Sequence, residues 1–460
     1  ERELDAERAR QVIDFSDHEA QRLTIAGPET TLVIERRETG WEIRQPIETH
    51  ADSESIDRYL RNLKETEIEG EPVQDSAAVA GDSGLLAPYG LDSPRLSVHV
   101  ALAPSAGTEL DTLQFGIDTP TQRFTYVQLS GKNPEVRTVR AWRYDNLEKG
   151  LFDLRDRQVL HLDRDQVTEL RLQRVGMAEE EQIVAMRRGG GWELTSPLKV
   201  AAEDAAVDEI LNRLGNAKIE SFIHEQPSEA DLEQAGLAPD QHFIHLTLLE
   251  GEAHSERHLR VGSRQQRGDH YAMDVSRTPV FVVDSTLVSQ LSKSLQELRD
   301  HRPFRVTPTV DGIQMTRQGE SLYRAVRDSS GGWRFASHPD REAKAWRLND
   351  LLTALDAVQV EEFVADAEDL NSLDAGAYGF DKPDLQLGLE RDDGERFLVE
   401  LAEVDGMVYA RRSDVPSIYA VAQQSLTDLS PDLEEVALAV ATTTADSTAA
   451  GDGQSGSRGQ

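Results

Sequence analysis

An α+β fold, built as three tandem repeats of one unit, is what this 460-residue sequence predicts. Three observations predict it: a Gly-Trp motif occurs three times at near-constant spacing, a helical apolar stripe follows each Trp at a fixed distance, and apolar runs of period two flank that stripe. Length agrees, because roughly 100 to 200 residues per domain allow two to four domains.

Each copy opens with a strand pair. Leu23 and Ile25 are followed by Leu32 and Ile34, Leu170 and Leu172 by Ile183 and Ala185, and Ile313 and Met315 by Leu322 and Ala325, the last run being less regular. Alternation with period two marks a strand with one buried face. The Trp motif comes next, as Gly40-Trp41-Glu42-Ile43 with Pro46, Gly191-Trp192-Glu193-Leu194 with Pro197, and Gly332-Trp333-Arg334-Phe335 with Pro339. Behind each Trp the set Ile56, Tyr59, Leu60 and Leu63 recurs as Val207, Ile210, Leu211 and Leu214, and as Leu348, Leu351, Leu352 and Leu355. Offsets of three, four and seven place each set on one helix face.

The pairs Ile68-Glu69, Ile219-Glu220 and Val360-Glu361 stand at one distance from their Trp. An active site rarely needs three copies, so Glu69, Glu220 and Glu361 are expected to pair with neighbouring Arg. A turn motif follows: Tyr89-Gly90-Leu91-Asp92-Ser93-Pro94, Ala235-Gly236-Leu237-Ala238-Pro239 and Tyr378-Gly379-Phe380-Asp381-Lys382-Pro383. Gly admits a positive φ and Pro fixes the entry to the next strand. Several antiparallel strands then follow in short runs, Leu96, Val98 and Val100, Phe243, His245 and Thr247, and Leu385, Leu387 and Leu389, with Tyr126, Tyr271 and Tyr409 in a later strand of each copy. A closing helix is clearest from Ser285 to Arg299, with Leu287, Leu291 and Leu298 on one side.

The predicted repeat units are residues 1–154, 155–301 and 302–435, joined at Leu154-Arg155-Asp156-Arg157 and Leu298-Arg299-Asp300-His301-Arg302. No Gly/Ser-rich or Pro-rich linker separates them, which predicts a semi-rigid rod. Residues 436–460 are expected to be a disordered tail, since from Ala441 onward the composition offers no apolar face.

Lys and Arg number 49 against 84 Asp and Glu, a net charge of −35. Such a chain does not neutralise phosphate backbones, so nucleic acid is excluded as the main partner. Only eight of the basic residues are Lys, and the acids are spread along the chain. That pattern suits a salty milieu, where a Debye length of roughly 3 Å at 1 M salt screens carboxylate repulsion. An acidic patch that recruits a basic partner is the alternative. The absence of Cys removes disulfide scaffolds, thiolate zinc sites and thiol nucleophiles. No stretch approaches the roughly 18 to 20 consecutive apolar residues of a membrane-spanning helix.

Motifs for chemistry are weak. Gly81-Asp82-Ser83-Gly84 resembles a trypsin-like nucleophile turn, but Leu85 stands where a second Gly is needed and only His18 and His50 precede it, so a polar loop is expected. Gly189-Gly190-Gly191 lacks the Lys-Ser/Thr and helix start of a phosphate cradle and reads as a hairpin turn. His254, His258 and His270 lack tight ligand spacing, so surface His on strands are expected. Paired carboxylates occur throughout so acidic a chain and say nothing about glycoside cleavage without their separation in space. No catalytic, cofactor-binding or metal-ligating residue is assigned, and no cofactor.

The thrice-used order of Gly-Trp with a following Pro, amphipathic helix, Tyr-Gly-Leu-Asp-x-Pro turn and strand-rich second half resembles the bacterial domain-of-unknown-function 4340 family over roughly residues 8–430. The best carriers are Gly40-Trp41, the turns at Tyr89 and Tyr378, and the Leu-Arg-Asp stretches at 154 and 298. The middle copy departs by lacking the Tyr and Asp of the turn. The resemblance implies an extracytoplasmic, cell-envelope protein held to the inner membrane by an anchor upstream of Glu1. It also implies association with gliding-motility-type ABC transporter components, and it transfers no catalytic residue. The expected function is a non-enzymatic accessory or scaffold protein of an ABC-type transport system or other envelope membrane proteins. The alternative is a ligand-binding or carbohydrate-active envelope protein that uses clefts between copies.

Overall fold

The structure is a computed structural model that describes residues 11–438 apart from 75–84, 105–109, 131–134, 177, 179–180, 240, 252–254, 266–267, 306–309, 368–371 and 393. The motif at Gly81, His254 and the tail from Ala441 lie outside the described residues. Among these residues the fold is mixed α/β, with three antiparallel sheets of nine, nine and eight strands and few helices.

The first sheet comprises β1 (Ala20–Ala26), β2 (Thr31–Arg37), β3 (Gly40–Gln45), β4 (Thr49–His50), β5 (Glu69–Gln74), β6 (Leu96–Leu102), β7 (Thr112–Asp118), β8 (Phe124–Ser130) and β9 (Val136–Arg140). Its order is β4-β3-β2-β1-β6-β7-β8-β9-β5, so the strand that follows the helix in sequence closes the far edge. Helix α1 (Ser53–Lys64) lies between β4 and β5 in sequence, and two short helices, α2 (Ala141–Leu147) and α3 (Leu151–Leu154), end the segment.

The second sheet comprises β10 (Val167–Arg174), β11 (Ile183–Arg188), β12 (Gly191–Ser196), β13 (Val200–Ala201), β14 (Ser221–His224), β15 (Ile244–Glu250), β16 (Ser255–Arg264), β17 (His270–Asp274) and β18 (Val280–Val283), in the order β13-β12-β11-β10-β15-β16-β17-β18-β14. Its helices are α4 (Asp204–Asn216), α5 (Glu229–Gln234), α6 (Ser285–Leu291) and α7 (Leu295–Leu298). The third sheet, β21-β20-β19-β23-β24-β25-β26-β22, uses β19 (Val310–Arg317), β20 (Glu320–Arg327), β21 (Trp333–Phe335), β22 (Val360–Asp366), β23 (Leu385–Arg391), β24 (Arg396–Val404), β25 (Met407–Arg412) and β26 (Ser417–Val421). Its helices are α8 (Ala345–Asp356), α9 (Gln424–Asp428) and α10 (Leu433–Val436).

Two compact units divide the chain: residues 1–161, 214–238 and 262–285 form one, and residues 162–213, 239–261 and 286–460 form the other. In the first, Trp41, Ile43, Ile56, Tyr59, Leu60, Leu63 and Phe115 belong to one apolar core. The second contains a core around Phe304, Tyr323, Trp333, Leu348, Leu355 and Tyr419.

All three motif Trp residues are buried, and each lies under a guanidinium from the preceding strand. Arg36 sits 4.6 Å from the Trp41 ring, Arg187 4.8 Å from Trp192 and Arg327 4.4 Å from Trp333. These are cross-strand partners, so the sheet register itself supplies the cation–π contact. The Trp192 and Trp333 indole N–H groups donate to Asp208 and Asn349 on the following helix, each at 3.0 Å.

Three expectations need correction. In β20 the buried residues are Tyr323 and Ala325 and not Leu322, because a register shift between Met315 and Thr316 sets Tyr323 opposite Met315. The closing helix from Ser285 to Arg299 is two helices. The Ser294 side chain accepts from the Glu297 N–H while the Glu297 carboxylate accepts from the Ser294 N–H, and this capping box starts a new helix. Leu287, Leu291 and Leu298 are nevertheless all buried. The tail boundary also moves, since Val436 and Ala437 belong to a core.

The turns explain the missing Tyr of the middle copy. Tyr89 meets Tyr126 edge-on at 4.9 Å and Tyr378 meets Tyr409 at 5.1 Å. In the middle copy Ala235, Leu237 and Met273 cluster with Tyr271 instead. Gly236 has φ of +65°, and a Cβ there would sit 3.0 Å from the Ser263 nitrogen. Gly189 and Gly190, both at positive φ, turn β11 into β12 as the hairpin reading requires.

Candidate clefts at the two Leu-Arg-Asp junctions

The junction Arg residues are the largest surprise. Arg155 is 3% exposed and Arg299 1% exposed, in positions where an unpaired charge would be prohibitive. A backbone ladder holds each one. Past α3, Arg155 bridges Ala51, the Asp52 N–H donates to the Leu154 carbonyl at 2.9 Å, and the Asp156 N–H donates to the His50 carbonyl at 3.0 Å. Past α7, Arg299 bridges Ala202, with the Glu203 N–H on Leu298 at 2.8 Å and the Asp300 N–H on Ala201 at 3.0 Å. The same ladder recurs at Ala343 and Ala437, where no Arg is present.

Each guanidinium forks onto one carboxylate and lies on one aromatic ring. Arg155 donates to Glu225 at 2.6 and 2.9 Å and to the Thr49 hydroxyl at 3.2 Å, 3.5 Å above the Phe222 ring. Arg299 donates to Asp366 at 2.8 and 2.9 Å and to the Ser417 hydroxyl at 3.1 Å, 3.9 Å above Phe363. Bidentate pairing with stacking is what a planar guanidinium does and an ammonium does not.

A cleft opens beside each clasp. The one beside Arg155, of about 720 Å³, is walled by Pro46, Ile47, Phe222, Pro279 and Phe281. The one beside Arg299, of about 760 Å³, is walled by Trp192, Pro197, Leu198, Pro303, Phe363 and Tyr419. Volumes of this order are those of small-molecule sites.

The Asp after each Arg titrates in opposite directions. Burial opposes ionisation of Asp156, but hydrogen bonds from the His161 imidazole at 2.7 Å and the Gln158 N–H at 2.9 Å, with Arg277 at 3.6 Å, hold it below the usual carboxylate range. Burial wins at Asp300 and raises its carboxyl, despite the Arg302 N–H at 2.9 Å and Arg305 at 2.7 Å. Arg277 in turn donates to the Gln158 and Val159 carbonyls and to Asp274.

The candidates read from sequence fall elsewhere. Glu69 accepts from Arg140 at 2.7 Å as expected, whereas Glu220 and Glu361 are exposed and make no ion pair with a described cation. His258 bonds Thr247 and Glu256, and His270 faces the Gly262 carbonyl. His258 lies instead in a row with His245 and His242, at ring separations of 5.5 and 5.1 Å. Burial, with the neighbouring His242, His258 and Arg260, pushes His245 down to about 4. No group of three His, Asp or Glu among the described residues is arranged to hold a metal. In the second cleft the Ser417 hydroxyl donates to Asp366, a carboxylate already taken by Arg299, and no His is among the described lining residues. No described helix is long and apolar enough to cross a membrane.

Sheets and clefts together define a mixed α/β protein in which two buried Arg residues are held in structural clasps. The chain belongs to the domain of unknown function family DUF4340, whose pattern matches residues 41–191 and again residues 192–383. Both matches begin on the Trp of the Gly-Trp motif. No curated protein and no solved structure matches the chain.

Proposed function

We propose that this protein is a non-enzymatic, extracytoplasmic accessory or scaffold of a membrane ABC-type transport system, working through contacts made by three repeated units at residues 1–154, 155–301 and 302–435. The observation that carries this reading is the pair of clasps: Arg155 and Arg299, with their forked carboxylates and stacked rings, spend buried charge on holding successive segments of chain together. Rigid spacing of repeated surfaces is what a contact protein needs, since weak sites add only when their geometry permits simultaneous engagement. Identical strand order in the first two sheets, and the same order short of one edge strand in the third, supports the three-unit layout.

The test is mild detergent extraction of the full-length protein from its own organism, affinity capture and mass spectrometry. Recovery of ABC-type subunits in stoichiometric amounts is expected. Recovery alone, with turnover of a glycan by the purified protein, would favour a carbohydrate-active reading instead. Layout is tested separately: residues 155–301 expressed alone should unfold cooperatively, and a flat transition would show that the unit is cut wrongly.

A further inference from the structure

We propose that the cleft beside Arg299 binds a small polyvalent oxyanion, a molecule bearing two or more phosphate or carboxylate groups. The argument begins with charge. In a chain of net charge −35, the described lining of this cleft carries six basic residues, Arg188, Lys199, Arg299, Arg302, Arg305 and Arg412, against the four acids Glu193, Asp204, Asp300 and Asp414.

Most of the acids are already engaged. Asp204 accepts from the Trp192 N–H at 2.6 Å, Asp414 is forked by Arg412 at 2.6 and 2.7 Å, and Asp300 accepts from the Arg302 N–H and meets Arg305. Arg299 belongs to Asp366. Lys199, Arg188 and the Arg302 guanidinium make no ion pair with any described carboxylate, although carboxylates outnumber cations almost two to one in the chain. Three cations with no ion pair among the described residues, set around one concavity with apolar walls, add positive potential there, Arg302 sharing part of its charge with Asp300.

The neighbouring copy shows that this charge is a local departure. Glu48, seven residues past Trp41, lines the cleft beside Arg155 and pairs with Arg44 at 3.0 Å. Lys199, seven residues past Trp192, lines the cleft beside Arg299. Gln158 and His161 stand three and six residues past Arg155; Arg302 and Arg305 stand at those distances past Arg299. At three matched positions an acid or a neutral group becomes a cation. The clasp does not require these changes, because the cleft beside Arg155 keeps the same ladder, fork and stacked ring without them.

Guanidinium forks and an ammonium, spread around about 760 Å³, suit a compact ligand with separated negative groups. The inference stands apart from the scaffold reading, since anion binding and partner capture are measured separately.

Isothermal titration calorimetry of the full chain with pyrophosphate and with citrate, at low salt, tests it. One saturable site is expected for at least one probe, weakening as sodium chloride rises. The Lys199→Glu/Arg302→Glu variant should weaken that site at least tenfold, while Arg44→Gln, in the other cleft, leaves it unchanged. Unfolding midpoints establish that both variants fold. Should the double variant not fold, Lys199→Gln and Arg302→Gln are read singly, each with a severalfold loss expected. Binding of pyrophosphate alone assigns phosphate chemistry, and binding of citrate alone assigns carboxylate chemistry. The proposal is overturned if neither probe binds, if variants of both clefts weaken binding equally, or if a Glu-rich peptide binds where neither small anion does.

Discussion

The clefts beside Arg155 and Arg299 share a plan and differ in what surrounds it. Both place a buried guanidinium on a ring and a carboxylate, yet Glu225 keeps 40% of its side-chain surface in water while Asp366 keeps 21%. Around Arg155 the charges close on one another, as in the Arg44–Glu48 and His161–Asp156 pairs. Around Arg299 cations outnumber their partners. One frame thus carries two electrostatic surroundings, because the contacts of the clasp leave the rim free to vary.

The largest expected effect separates the two clasps. Arg299→Ala strands Asp366 with only Ser417 for company and should cost about 3–5 kcal/mol, as when one partner of a buried pair is removed. Urea unfolding reads this, and Arg299→Lys should recover only part of the loss because an ammonium cannot fork. Arg155→Ala should cost less, about 1–3 kcal/mol, because the freed Glu225 is solvated. Equal losses at the two positions would break the comparison.

Acid sensitivity sharpens it. Asp156 is held below 3.8, so its contribution is complete above that pH and is lost as pH falls toward its folded value. Asp300 is raised above 3.8, so the folded state holds its proton more tightly, and the associated stability is present below 3.8 and lost as pH rises through the folded value. Asp156→Asn should therefore lower the Tm near neutrality and flatten its fall in acid, whereas Asp300→Asn should raise the neutral Tm. Shifts of the same sign would show that the two carboxyls are equivalent.

The smallest effect concerns the whole surface. Because −35 charges repel more in the compact state than in the expanded chain, Tm should rise between low and molar sodium chloride, by a few degrees. A level or falling Tm would mean that the surface ion pairs outweigh the repulsion.

What could be read from the sequence was local. The stripes at Ile56 and Val207 emerge as wholly buried helix faces because period and burial are set within a few turns, and even in α8 only Leu352 is partly rather than fully buried. The Arg over each Trp was readable too: Arg36, Arg187 and Arg327 precede their Trp by five or six residues, the reach of one hairpin. Ser294 and Glu297 carry the three-residue spacing of a capping box, a signal outweighed by the apolar stripe running through it. The clasps were not readable. Glu225 lies 70 residues from Arg155 and Asp366 lies 67 from Arg299, and in a chain with 84 acids nothing local marks which carboxylate will be chosen.

The far edge of each sheet has a kinetic meaning. β5, β14 and β22 each follow the helix near the middle of their copy, yet Glu69 pairs with Thr138, Ser221 with Val282 and Val360 with Val421, sixty to seventy residues later. An edge strand made at mid-copy must wait for the last strand of its sheet, and closing so long a loop yields no edge contact until that strand arrives. As the chain is synthesised, each copy therefore carries an unpaired strand until the second half of that copy is almost complete. Pro72 in β5 and the two-residue length of β4 and β13 give these edges little to offer a foreign strand.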